Sequence, residues 1–259
     1  LGAGLRIDAG KMVTHIGAET IEGIKNNHFS HSFAFTYGIP FQHTGVRLSY
    51  PVNANFTADF HVINGWNTTV DNDKGKTISP SVSWVFGPVS GTVNYMVGQE
   101  SDGATAPVGS RSTARHLFDS QVWYSQGPLN LGVGVDYGTQ RRISFGAGPT
   151  LQQRTAKWYG YALYARYKVT DTLEPALRWE TYVDPDNFST AQTTTLGTSV
   201  ATRFNSATLT VNKKVSGNLL VRPELRWDLA NRRTDLFRTK DNGQGQGQAT
   251  ASLNAIYHF

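Results

Sequence analysis

Strict alternation of apolar and polar residues is the feature that most constrains what this chain can fold into. In residues 129–141 (LNLGVGVDYGTQR), the odd-numbered residues from Leu129 to Tyr137 are apolar, whereas polar residues or glycines stand between them. A period of two predicts a β-strand with one apolar and one polar face. Such a strand is about twice the usual length in globular proteins, but at a tilt of about 40° it spans the apolar band of an outer-membrane barrel, about 25 Å.

The same alternation recurs along the chain in about twelve segments, and their connections alternate between about 2–5 and about 9–29 residues. This asymmetry between short and long turns is typical of bacterial outer-membrane barrels. We therefore predict an all-β fold, a transmembrane antiparallel up-and-down β-barrel that forms a single domain over residues 1–259. An even strand number allows the first and last strands to pair and leaves no open edge in lipid.

Aromatic residues cluster near the ends of the predicted strands, as the interfacial girdles of a membrane barrel require. The candidates for the girdles are Tyr50, Phe56, Trp66, Trp84, Phe86, Tyr124, Trp158, Tyr167, Trp179 and Phe259.

Two parts of the chain interrupt the alternation. Residues 13–41 are too long for an ordinary connection, and a loop of this length is usually functional or disordered. Its aromatic residues argue against disorder, so we expect it to fold into the barrel and narrow the pore, with a short helix over residues 18–27. Residues 231–247 are rich in glycine and glutamine and are expected to form a loop.

Composition excludes several other classes of protein. Hydrophobic residues make up 39% of the chain, the mean hydropathy is −0.37, and no run approaches the about 18 apolar residues of a membrane helix. Without cysteine there is no disulfide framework or thiolate metal site. The net charge is +5, but the basic residues are spread singly along the chain and form no patch, so we expect no nucleic-acid partner. The chain starts without Met or a leader, which indicates a mature product or an N-terminally incomplete sequence.

Several motifs in the first quarter of the chain carry a family resemblance. They are Gly10-Lys11, the GxE motif at residues 17–19, the SxS motif at residues 30–32, the PFxHTG motif at residues 40–45 and the NGW motif at residues 64–66. With these motifs the chain resembles the OmpL-like family of β-barrel outer-membrane porins. Met12 departs from the pattern, since an aromatic residue is usual there. The resemblance also implies strand-forming sequence upstream of Gly10, which would give about 14–16 strands. The terminal residues 257–259 resemble the closing-strand signal of outer-membrane barrels.

Folding the alternation into a barrel directs the charged strand residues toward the interior, because a charged side chain on the lipid face is costly. The predicted pore-lining residues are Arg6, Asp8, Arg47, Asp59, Asp119, Asp136, Arg166, Glu174, Arg178, Glu180, Arg222, Glu224, Arg226 and Asp228. Those from Arg166 to Arg226 lie on nearby strands and are expected to form a ladder of ion pairs. This ladder either sorts solutes by charge or only stiffens the wall. In the long segment, the candidate constriction residues are Glu19, Glu22, His28 and His31.

Other chemistry in the sequence has weak support. His15, His28, His31 and His43 match no metal-binding template, and the Asp71, Asn72 and Asp73 cluster lacks the closing acid of a calcium loop. Ser30 and Ser32 beside His28 are the only candidates for a membrane esterase, and no orienting acid stands with them. We therefore expect no enzyme activity, no cofactor and no bound metal.

The favoured function is an outer-membrane porin, a water-filled channel in the bacterial outer membrane through which small hydrophilic solutes and ions diffuse passively. The alternative is a structural or interaction-platform barrel, plugged by its own loop or by a partner, without significant transport. A soluble carbohydrate-binding β protein is a third hypothesis, and it requires the outward aromatic residues to form a core. The expected partners are outer-membrane lipids and small solutes. The oily faces suit lipid or neighbouring subunits equally, so a homo-oligomer or a partner protein stays open.

Overall fold

Twelve antiparallel strands form one continuous sheet in strict chain order. The computed structural model of the protein describes residues 4–71, 75–100, 113–145, 152–191, 201–241, 243–257 and 259. The strands are β1 (Arg6–Val13), β2 (Gln42–Pro51), β3 (Phe56–Ile63), β4 (Thr77–Phe86), β5 (Val89–Glu100), β6 (Thr113–Gln126), β7 (Leu129–Phe145), β8 (Gln152–Tyr167), β9 (Leu173–Asp184), β10 (Thr202–Lys214), β11 (Leu219–Arg238) and β12 (Gln244–Tyr257).

Each strand pairs with its neighbours in sequence, which confirms the all-β, up-and-down arrangement predicted from the alternation. Over the described residues no register pair joins β1 to β12, so the pairing of first and last strands that an even number allows is not made there. Within the same residues no helix is long and apolar enough to cross a membrane.

The two faces of the sheet have opposite polarity, and the polar face is the buried one. On β9, Leu177 and Trp179 are 55% and 43% exposed, whereas Arg178 and Glu180 between them are almost fully buried. The predicted apolar row of β7 behaves in the same way, with Leu131, Val135 and Tyr137 exposed. A soluble sandwich would bury the apolar face. The exposed apolar surface is therefore the one that a lipid environment has to cover.

The polar face is buried because the connecting segment (residues 14–41), which links β1 to β2, packs against it. Two apolar clusters join this segment to the sheet. The first contains Phe33, Ala34, Trp158, Tyr182, Phe204, Ala230 and Phe237, and the second contains Ile16, Phe35, Ile39, Ile63, Met96 and Leu117. The main core of the protein thus lies between the connecting segment and the ends of the strands that carry the long connections.

The prediction of a helix over residues 18–27 is wrong. Only a 3-10 turn at Gly23–Lys25 forms there, and a π-helical turn at Ala34–Gly38 follows it. The backbone groups of this region bond to strand side chains instead: Arg222, for example, donates to the carbonyl oxygens of Gly23 (2.9 Å) and Asn26 (2.8 Å). Carbonyls that bind a wall arginine do not need the hydrogen bonds of a helix.

The loop expected over residues 231–247 is also shorter than predicted. β11 continues to Arg238 and β12 begins at Gln244, with register shifts on either side of Thr234. Glycine and glutamine suggested a loop, but the backbone of these residues still pairs across the two strands. β-Bulges of this kind absorb irregular sequence without ending the ladder.

Two tryptophans assigned to the girdles face inward, so that assignment is wrong for them. Trp158 is 1% exposed and donates from Nε1 to the Gly38 carbonyl (2.9 Å). Its ring lies over Gly138, where a Cβ atom would come within 2.0 Å of the indole. Trp66 follows the end of β3 and meets Trp158 edge to face. The absent side chain at Gly138 makes the room that Trp158 occupies.

Candidate functional site

Charged residues of β9 and β11 form the inner wall against which the connecting segment lies. Arg178 and Glu180 stand on β9, and Arg222, Glu224 and Arg226 stand on β11. Alternation places these residues on the face opposite the exposed Leu177, Trp179, Leu225 and Trp227. The wall therefore presents alternate cations and anions to the segment.

Glu19 is the segment residue at the centre of this contact. Arg178 donates from Nη1 to Glu19 Oε1 (2.9 Å), and the Tyr164 hydroxyl donates to the same oxygen (3.1 Å). His31 Nδ1 lies 3.1 Å from Glu19 Oε2, which also accepts the Ser32 amide (2.9 Å). Burial raises the pKa of Glu19, but the Arg178 charge and these hydrogen bonds outweigh it and lower the pKa to about 2. Glu19 is thus a buried carboxylate anchor.

The acidic residues of the wall accept hydrogen bonds from backbone amides of the segment. Glu180 accepts the Phe33 amide (2.6 Å), and Glu224 accepts the Phe29 (2.6 Å) and Ser30 (3.0 Å) amides. Hydrogen bonds to a charged acceptor are about twice as strong as neutral ones. These amides lack helical or strand partners, so the wall carboxylates take the place of regular secondary structure.

The basic residues of the wall bind the carbonyl oxygens of the same segment. Arg178 donates to the Ser30 carbonyl (2.7 Å), Arg226 to the His31 carbonyl (2.5 Å) and Arg222 to two carbonyls of the 3-10 turn. The wall carboxylates bind amide groups of the segment backbone, and the wall arginines bind its carbonyl groups. The attachment therefore combines the Glu19 side chain with backbone groups of the segment.

The predicted ladder of ion pairs is present in part. Arg166 lies 3.4 Å from Glu174, and Glu180 lies 3.5 Å from Arg178 and 3.6 Å from Arg226. Arg226 also pairs with Asp228 (2.7 Å). Arg222 and Glu224 depart from the prediction, since both bind backbone groups of the segment within the described structure. The ladder therefore also serves as the docking surface of the segment.

The connecting segment also contacts β3 and β4, which lie near the N-terminal end of the strand order. His15 Nε2 lies 2.9 Å from Ser79 Oγ on β4, and its ring stacks on His61 of β3 at 3.8 Å between centroids. Further along, the Gly17 amide bonds to Asp119 of β6. The segment thus crosses from β3 and β4 past β6 to β9 and β11.

His28 is the other titratable group that the segment buries. Its Nδ1 lies 2.8 Å from Thr210 Oγ1, and the side chain is almost fully buried. Burial, with the Arg178 charge added, lowers the pKa of His28 to about 4. His28 is therefore neutral at pH 7.

The remaining predicted residues lie away from the wall formed by β9 and β11, and they range from the buried Asp119 and Asp136 to the exposed Glu22. Asp8 accepts from Arg47 (2.9 Å) and Arg6 (3.0 Å) near the β1 edge, where all three side chains are partly exposed. Asp59 is half-buried and stands between Ser49 and Ser81 in register. Asp136 stands opposite Asp119 in register. Glu22 is exposed and pairs with Lys25, so it does not contact the wall as Glu19 does.

Two wall residues of the Glu19 site were absent from the prediction. Tyr164 bonds Glu19, and Thr210 lies between His28 and Glu224, to which it donates (2.7 Å). Alternation along β8 places Tyr164 on the face opposite Tyr161 and Leu163, so the period of two was a signal for its inward position. Thr210 gave no comparable signal, because an uncharged threonine suits either face.

The four histidines of residues 15–43, which match no metal-binding template in the sequence, separate into two groups. His15 and His43 lie near His61, whereas His28 and His31 lie near Glu19. The part of the chain that the structure describes contains no group of three or more metal-binding side chains suited to an ion. Of the calcium cluster, Asn72 and Asp73 lie outside the described residues, as does His258 of the terminal signal. His28 bonds Thr210, whereas the Ser30 hydroxyl accepts from Arg178 (3.3 Å) and the Ser32 hydroxyl accepts the Phe35 amide (3.0 Å).

Comparison with known proteins gives a family and a fold. The family model described as "Putative beta-barrel porin-2, OmpL-like" matches residues 1–259. A search of curated proteins gives no match. Among solved structures, the outer-membrane channel DcaP of Acinetobacter baumannii is similar with a TM-score of 0.62 and 11% identity, covering 97% of this chain and 71% of that one.

Two further structures show the same fold. OmpT of Vibrio cholerae, in a trimer form, has a TM-score of 0.59 and 14% identity over 96% of this chain and 74% of its own. The anion-selective porin of Comamonas acidovorans has a TM-score of 0.56 and 13% identity over 83% of this chain and 59% of its own. At these identities the likeness carries the barrel fold and no residue roles.

Proposed function

Because the chain belongs to the family "Putative beta-barrel porin-2, OmpL-like", we propose that it forms a water-filled outer-membrane channel for passive diffusion of small hydrophilic solutes and ions. The protein is a bacterial outer-membrane β-barrel, as the whole-chain family match and the porin fold require. Diffusion through such a channel involves no covalent step, so no catalytic residue is assigned.

The observation that carries the proposal is the inverted polarity of the sheet. The apolar side chains of the strands point away from the connecting segment and stay exposed, and the charged side chains point toward it. In a membrane this arrangement puts hydrocarbon outside and polar groups inside. A polar interior supports water and dissolved solutes, which is the requirement for a diffusion channel.

We further propose that the connecting segment narrows the channel and that the inward charges line it. In support, wall residues bind the side chains of Glu19 and His28 and the carbonyl oxygen of His31, whereas Glu22 on the same segment is exposed. Selectivity would then depend on the width left beside the segment and on charges such as Arg226. The alanine variants of Arg222 and Arg226 test the charge effect through the reversal potential in a salt gradient. An unchanged potential in both would refute it.

A plugged barrel without transport is the second candidate, and one observation favours it. The two apolar clusters fill the space between the segment and the strand ends that carry the long connections. Planar-bilayer recording of the refolded, detergent-purified chain separates the two candidates. Stepwise conductance in KCl supports the channel, and inserted protein without conductance supports the plug.

We also propose that the barrel forms a homo-oligomer. Support comes from OmpT of V. cholerae, a structure with the same fold that is described in a trimer form. The exposed apolar face offers the surface that subunits or lipid would cover. Mass measurement in detergent, with the detergent contribution subtracted, tests this: a monomer at all concentrations would contradict it.

A further inference from the structure

Two adjoining cavities lie between the connecting segment and the short turns of the sheet. Their volumes are about 230 and 240 Å³, and Lys25, Asn26, Asn27 and Arg166 border both. The first also contains Trp123 and Tyr164, whereas the second extends to the turn between β8 and β9. The first cavity adjoins the docking surface, because Glu19 and His28 line it, and the second reaches Glu174 of β9.

Trp123 gives the first cavity an aromatic surface. It is an inward-facing, half-buried residue of β6, between the polar Gln121 and Ser125. Its indole lies over Gly132 of the next strand, where a Cβ atom would come within 2.2 Å of the ring. Tyr164 meets it at 5.3 Å between centroids. The sheet thus holds a tryptophan in a fixed position on an otherwise polar wall.

Polar groups with bonding capacity left over surround this indole. Among the described residues, Arg166 bonds only through Nη1, to Asn27 (3.1 Å) and Glu174 (3.4 Å), which leaves its other guanidinium nitrogens for a ligand. Asn130 donates to Ser125 (2.5 Å) and keeps its Oδ1 as an acceptor. Lys25 adds a second cation at the edge.

The charge of the cavity is positive in effect. Its only acidic lining residue, Glu19, is already compensated by the buried Arg178. Arg166 and Lys25 have acidic partners, but those pairs are exposed to solvent and therefore weak. A carboxylate can accept two parallel hydrogen bonds from a guanidinium, so an anionic group suits this cavity better than a cation.

We propose that this cavity is a binding site for a sugar acid of monosaccharide size, a solute that stacks on Trp123 and places its carboxylate on Arg166. The proposal rests on the channel function and names one solute class that the channel takes. The size fits, because 230 Å³ is less than the about 300 Å³ of the smallest drug-sized pockets. An aromatic face beside amide and guanidinium groups matches a ring with a C–H face, hydroxyls and one carboxylate.

Binding is measured by isothermal titration of the full chain in detergent with D-glucuronate, D-glucose and acetate. We expect D-glucuronate to bind at least about 10-fold more tightly than either of the others, since only it uses both the ring and the charge. Trp123→Ala and Arg166→Gln should each weaken its binding by about 5- to 10-fold. Equal binding of all three solutes, or none above background, would overturn the proposal.

Trp84→Ala is the matched control. Trp84 of β4 lies over Gly91 as Trp123 lies over Gly132, but its side chain is on the outward face. Its removal deletes the same kind of indole–glycine contact and should leave glucuronate binding unchanged. Trp123→Phe keeps an aromatic surface and should retain most of the affinity. If Trp84→Ala weakens binding as much as Trp123→Ala, the effect is on folding and the site is refuted.

Conductance separates this proposal from the channel function. In a planar bilayer, KCl current that D-glucuronate reduces in the native protein but not in Trp123→Ala supports both. Current without binding or block leaves a channel and refutes the site. Binding without current retains the site and refutes the channel.

Discussion

Substitution of Arg178 by glutamine tests how the connecting segment is held. The Arg178 side chain has no solvent exposure and bonds Glu19, Ser30 and Thr208. Loss of one partner from a buried ion pair costs about 3–5 kcal/mol, because the other charge stays buried without compensation. Since about 1.4 kcal/mol is a factor of ten, the segment should open about 100- to 4000-fold more often.

Hydrogen exchange measures this opening directly. The amides of Phe29, Ser30 and Phe33 donate to the wall carboxylates Glu224 and Glu180 and exchange only when the segment leaves the wall. In Arg178→Gln, deuterium uptake over these residues should accelerate by about the same factor, whereas the strands stay protected.

Arg47→Gln is the control, because the Arg47–Asp8 pair is partly exposed and contributes less than about 1 kcal/mol. It should leave the segment amides unchanged. When Glu19→Gln is combined with Arg178→Gln, it removes the uncompensated carboxylate and should restore part of the protection of the segment amides. Native-like protection in Arg178→Gln alone would refute the docking account.

Three further predictions concern the segment and the outer face. Gly17 has φ +95°, and a Cβ atom there would lie 2.5 Å from Ile39 Cδ1. Gly17→Ala should therefore destabilise the docked segment by about 1–3 kcal/mol, which is measured as faster hydrogen exchange of the segment amides. An unchanged exchange rate would contradict this prediction. Leu131→Arg puts a charge on the lipid face and should destabilise the folded barrel by about 2–4 kcal/mol in lipid, whereas the inward Gln121→Arg should cost much less; equal unfolding free energies would contradict the assignment of faces. The folded-state pKa of His28 is about 4, against 6.5 unfolded, so its contribution to docking is present above pH 6.5 and is lost as the pH falls toward 4. Hydrogen exchange of the segment amides, corrected for the intrinsic exchange rates, should therefore accelerate over this pH range, and His28→Gln should reduce that pH dependence. An identical pH dependence in His28→Gln would count against the role of His28.

Alternation was sufficient to predict the strands because its cause is local. Whether a residue such as Leu131 or Glu180 points outward or inward follows from its position in the period, and a polar residue on the lipid face is too costly for exceptions to be common. The motif-based resemblance in the first quarter of the chain also led to the family, which the whole-chain match confirms.

The structure of the connecting segment could not be read in the same way. Glu19 meets Arg178 and Phe33 meets Glu180, and these partners are 159 and 147 residues apart in the chain. Local propensity at residues 18–27 favoured a helix, but long-range hydrogen bonds from Arg222 decided the conformation. The girdle prediction was wrong for the inward tryptophans for a related reason, since the space for Trp158 is made by Gly138 on the neighbouring strand.

Single-cysteine labelling along β6 tests the central claim most directly, because the chain contains no cysteine of its own. Cysteines at positions 120 to 123 are introduced one at a time, and the folded protein in lipid vesicles is treated with a small, water-soluble maleimide that does not cross lipid. We predict that positions 121 and 123 react through the water-filled interior, and that 120 and 122, which face hydrocarbon, do not. Reaction at 120 and 122, or equal reaction at all four positions, would contradict a barrel with a wet interior and an apolar exterior.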